Sequence, residues 1–184
     1  MRLIPNSVAA VSPISTALAR CASLPNKLAP SLGRWLALAA LVLVLDQASK
    51  TWVLASYRLM ESQSVTPFFN LVFVFNSGAA FSFLAGAGGW QKWFFVVLAL
   101  VISVWLLHML RQHAAERLLP AALALILGGA LGNVIDRLRF DAVVDFLDFY
   151  AAGYHWPAFN VADSAITVGV ALMLWHQFRF GKDT

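Results

Sequence analysis

Four long apolar stretches restrict what this sequence of 184 residues can fold into. They run from Trp35 to about Leu54, from Trp90 to about Leu110, from Leu118 to Ile135 and from about Phe159 to Phe178. Each is close to the ~20 residues that an α-helix needs to cross the hydrocarbon layer of a bilayer. The stretches argue against a soluble domain and predict four transmembrane helices.

The composition agrees with a membrane protein and excludes several other classes. Hydrophobic residues make up 60% of the chain and charged residues 12%, whereas soluble proteins contain about 25% charged residues. Disordered chains are poor in apolar residues, and a single cysteine, Cys21, excludes a disulfide framework. The net charge of +4 has the sign expected for nucleic-acid binding, but apolar runs of this length indicate a membrane instead.

The basic residues predict the orientation of the four helices. An even number of spans places both termini on one side, together with Arg2, Arg20, Lys27, Arg34, Arg111, Arg117, Arg179 and Lys182. The opposite side has Arg58, Lys92, Arg137 and Arg139. Because cytoplasmic segments carry the excess of Lys and Arg, the sequence predicts cytoplasmic termini and two loops that face outward.

Three segments follow from this pattern. Residues 1–34 contain four basic residues, no acidic residue and four prolines, which predicts a disordered cytoplasmic tail or a start codon placed too early. Residues 35–180 form the membrane domain, and residues 181–184 form a short cytoplasmic tail.

In the first outward loop, Leu71 to Phe75 is a strand signal and residues 76–78 are a turn signal. A strand at membrane level must pair or be covered, so we expect a small sheet on the outer helix ends.

Two ionisable residues interrupt the first span. Asp46 and Lys50 are four residues apart, so they share a helix face and can pair. Asp46 lies eleven residues past Trp35, about 17 Å along the axis. Ionisable residues at such depth face the bundle interior and are functional candidates. We favour a structural pair, and the alternative is a small polytopic transporter or channel that uses these two residues.

A second polar pattern lies at the outer ends of the third and fourth spans. Asn133 and Asp136 end the third span, and Asn160 and Asp163 begin the fourth, so each pair has an amide one turn from a carboxylate. Five of the nine acidic residues lie within residues 136–163, and they are Asp136, Asp141, Asp145, Asp148 and Asp163.

Paired carboxylates support hydrolysis without a metal or a nucleophilic side chain. At hydrogen-bonding range one carboxyl keeps a proton while the other is ionised, so a water between them can be activated. Spacing alone favours Asp136 with Asp163 as this pair. Two alternatives stay open, namely acids that cap helix ends and pair with Arg137 and Arg139, and an oxygen-rich cation site. The cation site would use Asp136, Asp145, Asp163, Asn133 and Asn160.

Five ordered sequence blocks, spread over about residues 34 to 180, resemble a known family. They are DQASK at 46–50, NSGAAFS at 76–82, GGALGNVIDR at 128–137, VVDF at 143–146 and FNVAD at 159–163. The set resembles bacterial lipoprotein signal peptidase, also called signal peptidase II. The resemblance implies an all-α membrane protein with four transmembrane helices, a small periplasmic β-cradle and aspartic peptidase activity, with no cofactor and no metal.

The resemblance also implies which residues act and on what. It assigns catalysis to Asp145 and Asp163, so Asp136 becomes a supporting residue held by Arg137 or by the polar network. The other supporting or substrate-binding residues implied are Asn133, Arg137, Asn160, Asn76, Asp46 and Lys50.

The implied substrates are prolipoproteins whose lipobox cysteine carries a diacylglyceryl group, cleaved on the amino side of that cysteine. The implied location is the bacterial inner membrane, among membrane lipids and with the active site toward the periplasmic face. We expect no nucleic acid partner, and a monomer, because four spans can form a complete site.

Overall fold

The computed structural model describes residues 29–78 and 88–180, with side chains from residue 32. Four helices are present in this part of the chain: α1 (Ala29–Ser56), α2 (Gln91–Gln112), α3 (Leu118–Phe140) and α4 (Val161–Phe180). All four are long and apolar enough to cross a membrane, which confirms the predicted spans. Helix α3 continues five residues beyond the predicted end at Ile135.

Helix α1 begins six residues before the predicted start at Trp35. Contacts with the α2–α3 connection hold this first part of the helix. The Arg34 guanidinium donates to the Glu116 carbonyl at 3.1 Å, and Trp35 Nε1 donates to the Ala114 carbonyl at 3.0 Å. Residues 29–34, which we assigned to the tail, are therefore helical. The rest of the predicted tails, residues 1–28 and 181–184, lies outside the described residues.

Helix α3 is the centre of the bundle. It packs against each of the other three helices. In its most apolar segment 67% of the residues are buried, compared with 17–28% in the other helices. Leu106 and Leu110 of α2 and Leu123 and Leu127 of α3 form the core on the side away from the sheet. Many apolar side chains of α1, α2 and α4 are exposed on the outside of the bundle, as a lipid-facing surface requires.

Glycines allow α3 to approach two neighbouring helices closely. A Cβ on Gly128 would lie 2.5 Å from the Ala39 carbonyl oxygen and 2.8 Å from Val42 Cβ, both on α1. A Cβ on Gly129 would collide with the Ala162 carbonyl oxygen of α4. The adjacent glycines at 128 and 129 therefore allow close packing of α3 against α1 on one side and against α4 on the other.

A four-stranded antiparallel sheet lies at one end of the bundle. The strands are β1 (Ser62–Thr66), β2 (Phe69–Asn76), β3 (Val143–Ala151) and β4 (Tyr154–His155), in the order β1-β2-β3-β4. The predicted strand at Leu71 to Phe75 is confirmed within β2. Together, the four helices and this sheet confirm the predicted fold class.

The segment that carries Asp145 is a strand, whereas we placed Asp145 in a loop. Its sequence VVDFLDFY is rich in β-branched and aromatic residues, and Asp145 pairs with Val74 of β2 in the ladder. Val144 and Phe146 are buried with Phe73 of β2 and Val53 of α1. This second apolar cluster fixes the sheet to the helix bundle.

We predict that Gly128→Ala destabilises the protein by about 1–3 kcal/mol, because the new methyl group overpacks the α1–α3 contact. Thermal unfolding in detergent micelles measures the effect as a lower midpoint. Gly33→Ala is the matched control, since Gly33 lies in α1 with nothing within 4 Å of an added Cβ. The control should be neutral or slightly stabilising. Equal midpoints for the two variants would contradict this account of the packing.

Candidate active site

A cavity of about 420 Å³ lies where the sheet meets α3 and α4. Asp145 and Asp163 both line it. Among the described residues, the rest of the lining is Asn76, Gly78, Asn133, Arg137, Val143, Trp156, Pro157, Ala158, Ile166 and Thr167. The structure therefore brings together two carboxylates, two side-chain amides and a guanidinium group around a space large enough for part of a peptide.

Asp145 reaches the cavity from strand β3 and is 2% exposed. Both of its carboxylate oxygens accept hydrogen bonds from amide groups. Asn160 Nδ2 donates to Oδ1 at 2.7 Å, and Asn76 Nδ2, at the end of β2, donates to Oδ2 at 3.1 Å. Two contacts from different elements thus fix the orientation of this carboxyl.

Burial raises the pKa of Asp145 from its ordinary value near 4 to about 7. The neighbouring Asp163 carboxylate adds to the rise, while the hydrogen bonds from Asn76 and Asn160 oppose it. Burial raises the pKa because a negative charge is unfavourable in a medium of low dielectric, and Asp163 raises it because like charges repel. At neutral pH, Asp145 is therefore protonated in a substantial fraction of molecules.

Asp163 lies in the first turn of α4. Asn160 precedes the helix, and its Oδ1 accepts the backbone N–H of Asp163 at 2.9 Å, as an N-capping side chain does. Asn133 Nδ2 donates to Asp163 Oδ1 at 2.8 Å. The Asp163 carboxylate therefore lies at the positive end of the α4 dipole and is oriented by this amide donor.

Asn160 connects the two aspartates through one fully buried amide. Its Nδ2 donates to Asp145 Oδ1 and to the Val144 carbonyl, the latter at 3.2 Å, while its Oδ1 accepts from Asp163. The same side chain therefore fixes strand β3 relative to the start of α4. Asn160 thus contacts the carboxylate of Asp145 and the backbone of Asp163.

Lys50 lies behind the cavity in a cluster of charged residues. Its ammonium contacts Asp136 at 2.8 Å, Asp46 at 3.0 Å and Asn133 Oδ1 at 3.0 Å. The predicted pairing of Asp46 with Lys50 is confirmed, and both side chains are almost completely buried. Because an ammonium group only donates, Asn133 must present its oxygen to Lys50 and its NH₂ group to Asp163.

The two carboxylates of this cluster hold the elements that carry the cavity aspartates. Asp46 accepts the backbone N–H of Ala162 at 2.9 Å, next to Asp163. Asp136 accepts the backbone N–H of Val144 at 3.0 Å, next to Asp145. Since Asp46 and Asp136 both bind Lys50, one buried ammonium connects α1, α3, β3 and α4.

Asp136 differs from the expectation that spacing alone gave. Its carboxylate oxygens bind the Lys50 ammonium, the backbone N–H of Val144 and Gln47 Nε2, the last at 2.9 Å. Among the described residues, Asp136 is not part of the cavity lining. The structure thus brings Asp163 together with Asp145 rather than with Asp136.

Within the described residues, the ion-pair partner of Asp136 is Lys50 of α1 and not the adjacent Arg137. The Arg137 guanidinium donates instead to the Gly78 carbonyl at 2.9 Å and to the Asn133 carbonyl at 3.3 Å, and it stacks over Phe95. Its carbonyl partners connect the end of the β2 segment to α3 at the wall of the cavity.

Sequence reasoning missed two parts of the site. Gln47 was assigned no role, yet its side chain contacts Asp136 and the Gly132 carbonyl, the latter at 3.2 Å. A polar residue next to Asp46 in an apolar span was the available signal. Trp156 was not among the predicted site residues, yet it lines the cavity with Pro157 and Ala158. No periodic pattern marks these three residues.

The alternative site types find little support in the described residues. Asp46 and Lys50 bind each other and Asp136 in a closed cluster rather than continuing as a polar track. Within residues 29–78 and 88–180, no group of three or more His, Cys, Asp and Glu side chains is arranged to hold a metal ion.

Comparison with known proteins identifies the family. A family model described as Signal peptidase (SPase) II matches residues 38–179. The chain belongs to this family. Lipoprotein signal peptidase of Azoarcus sp. (strain BH72) is 64% identical over 148 residues, which cover 80% of this chain and 84% of the relative. The same enzyme of Cupriavidus necator is 56% identical over 145 residues, covering 79% and 83%.

Solved structures agree with the family assignment. A bacterial membrane enzyme determined by the in meso method at 2.3 Å resolution matches with a TM-score of 0.74 and 32% identity. The match covers 83% of this chain and 92% of that one. The predicted resemblance is confirmed, and the chain is an aspartic-type peptidase of the membrane rather than the alternative transporter.

We predict that Lys50→Met destabilises the protein by about 3–5 kcal/mol, because it leaves the carboxylates of Asp46 and Asp136 buried without a countercharge. The measurement is thermal unfolding in detergent. Combining it with Asp46→Asn and Asp136→Asn should recover part of the stability by removing both negative charges. Activity should not recover, because Asn133 has lost the ammonium that orients it.

Lys92→Met is the control for the loss of a lysine. Lys92 pairs with Asp141, whose side chain is 78% exposed, and exposed pairs contribute at most about 1 kcal/mol. A Lys50→Met variant as stable as Lys92→Met would contradict the role assigned to the buried cluster.

Proposed function

We propose that this peptidase hydrolyses the peptide bond of diacylglyceryl-modified prolipoproteins on the amino side of the lipidated cysteine, with Asp145 and Asp163 as the catalytic pair. The observation that carries the proposal is that both carboxylates line one cavity, while the Asn160 amide binds the Asp145 carboxylate and the backbone N–H of Asp163. The family membership supplies the class of substrate.

The geometry supports a general acid–base mechanism with one proton on the pair. The ionised carboxylate takes a proton from a water, whose oxygen bonds to the carbonyl carbon, while the protonated carboxyl donates to the carbonyl oxygen. Collapse of the tetrahedral intermediate breaks the C–N bond: the leaving nitrogen receives the proton taken from the water, and one hydroxyl group of the intermediate returns its proton to the first carboxyl, so the pair regains its single proton. The raised pKa of Asp145 favours this residue as the initial acid, and the position of Asp163 at a helix N-terminus favours it as the initial base.

The remaining polar residues orient this pair. Asn76, Asn133 and Asn160 donate to the two carboxylates. Arg137 lines the cavity and forms part of the surface that meets the substrate. The supporting residues Asp46, Lys50 and Asp136 hold the backbone on either side of the pair.

We place the chain in the bacterial inner membrane with both termini cytoplasmic, surrounded by membrane lipids. The excess of basic residues on the side of the termini supports this orientation, which directs the sheet and the cavity toward the periplasm. There the cavity meets a signal segment at the end where its lipidated residue lies in the outer leaflet. A monomer is supported because one chain supplies amide donors to both aspartates within the part of the sequence that the structure describes.

Asp145→Asn and Asp163→Asn should each reduce the cleavage of a diacylglyceryl-modified prolipoprotein by at least about 100-fold, because each removes one proton-transfer group. The rate is measured with purified protein, and thermal unfolding shows that the variants are folded. Asp141→Asn is the matched control, since Asp141 is exposed and pairs with Lys92; it should keep near wild-type activity. Wild-type rates in either folded cavity variant would refute the proposed pair. A chelator should leave the wild-type rate unchanged.

Cleavage should decrease as the pH rises through about 7, because the pair then loses the proton held by Asp145. The sign follows from the direction of the shift: a carboxyl with a raised pKa stays protonated at lower pH and ionises above it. The limb on the basic side of the kcat/KM profile measures this titration. A rate that is constant from about pH 6 to about pH 9 would contradict a protonated carboxyl in the free enzyme.

A further inference from the structure

A second cavity, of about 360 Å³, lies on the sheet. Aromatic side chains form most of its lining: Phe68, Phe149, Tyr150, Tyr154, His155 and Trp156. We call it the aromatic groove. These residues belong to the β1–β2 turn, the end of β3, and β4 with the residue after it, so the groove lies outside the four membrane-spanning helices.

The aromatic groove is adjacent to the catalytic cavity. Trp156 lines both cavities, and its backbone N–H donates to the Phe149 carbonyl at 2.7 Å. That hydrogen bond fixes Trp156 to β3, the strand that also carries Asp145. A chain that leaves the catalytic cavity past Trp156 therefore enters the groove directly.

Ring contacts and hydrogen bonds hold the walls of the groove in place. Tyr150 stacks on His155 with ring centroids 5.0 Å apart. His155 Nδ1 contacts the Asp148 carboxylate at 2.9 Å, which in turn accepts Asn70 Nδ2 at 2.8 Å. The outer rings stay exposed, Tyr154 by 84% and Phe68 by 58%. A wall that is already ordered loses little conformational entropy when it binds a ligand.

We propose that the aromatic groove binds the extended polypeptide on the carboxyl side of the scissile bond, the segment that stays attached to the lipidated cysteine. The proposal rests on the proposed function. Of the two halves of the substrate, the apolar signal segment stays in the bilayer, and the other half must leave it. The catalytic cavity has Ile166 and Thr167 of α4 on its membrane side and residues 156–158 toward the sheet, so the departing half passes Trp156.

The distance from Asp145 to the aromatic groove defines which substrate residues reach the groove. Phe149 lies four residues after Asp145 along β3, which corresponds to about 13 Å at ~3.3 Å per residue. An extended substrate advances by a similar length per residue. The groove therefore binds from about the fourth residue after the scissile bond.

The chemistry of the groove favours a peptide over a charged ligand. Its surface consists of ring faces, and the His155 ring is already paired with Asp148. Aromatic faces pack against peptide groups and apolar side chains without requiring one sequence. The affinity of the groove for a substrate therefore depends on the length of the segment after the cysteine more than on the charge of that segment.

The test compares two diacylglyceryl-modified substrates with the same signal segment, one with about two and one with about ten residues after the scissile bond. For the wild-type protein, KM should be about five- to tenfold lower for the long substrate, since interface aromatic residues contribute affinity of this order. Phe68→Ala with Tyr154→Ala should raise KM for the long substrate to the value for the short one. The value of kcat and all constants for the short substrate should stay unchanged.

Trp90→Ala is the matched control, because Trp90 is an aromatic residue with 55% exposure next to α2 and is not part of the groove lining. It should leave the preference for the long substrate intact. A wild-type protein with equal KM for both substrates overturns the groove proposal but leaves the proposed function intact.

An equal loss for both substrates in the double variant also overturns the groove proposal, since it indicates that the rings contact lipid headgroups instead. If folded Asp145→Asn still cleaves either substrate at the wild-type rate, the proposed function fails whatever the groove binds.

Discussion

The arrangement of the site depends on one buried ammonium group. Lys50 satisfies three acceptors at once, two carboxylates and one amide oxygen. Each carboxylate then binds a backbone N–H next to a cavity aspartate, and the amide turns its NH₂ group toward Asp163. In an apolar surrounding, an unpaired charge is so costly that these contacts resist rearrangement. A single residue of α1 thereby determines how a strand and a helix far along the chain meet.

Two chemically identical residues acquire different properties from the elements that carry them. Asp145 is on a strand packed between apolar neighbours, where a proton is retained to about pH 7. Asp163 is at the start of a helix, where backbone dipoles stabilise a negative charge. The proposed acid and base therefore need no difference in side-chain type, and Asn160 contacts both residues, the Asp145 carboxylate and the backbone N–H of Asp163.

Sequence analysis reached the features that depend on local periodicity. The four spans follow from length and apolarity, and the Asp46–Lys50 pair follows from the i, i+4 spacing. The choice between Asp136 and Asp145 was beyond such reasoning, because it depends on a change of chain direction. Asp141 ends α3 in the left-handed region with φ of 61°, after which β3 returns Asp145 to the cavity. Only the family resemblance selected Asp145, and no spacing rule marks Trp156 as part of the wall.

The central position of α3 has a consequence for the biogenesis of the enzyme. Helices α1 and α2 contact each other only slightly, whereas α3 packs against both. Before α3 packs against them, these two helices have little to hold them together, and the i, i+4 partner of Lys50 limits the unpaired charge within α1. Helix α3 packs against both, and the start of α4 together with the residue before it supplies Asp163 and Asn160. Without α4 the bundle lacks Asp163, so the cavity with its two aspartates is complete only when α4 has joined the other helices.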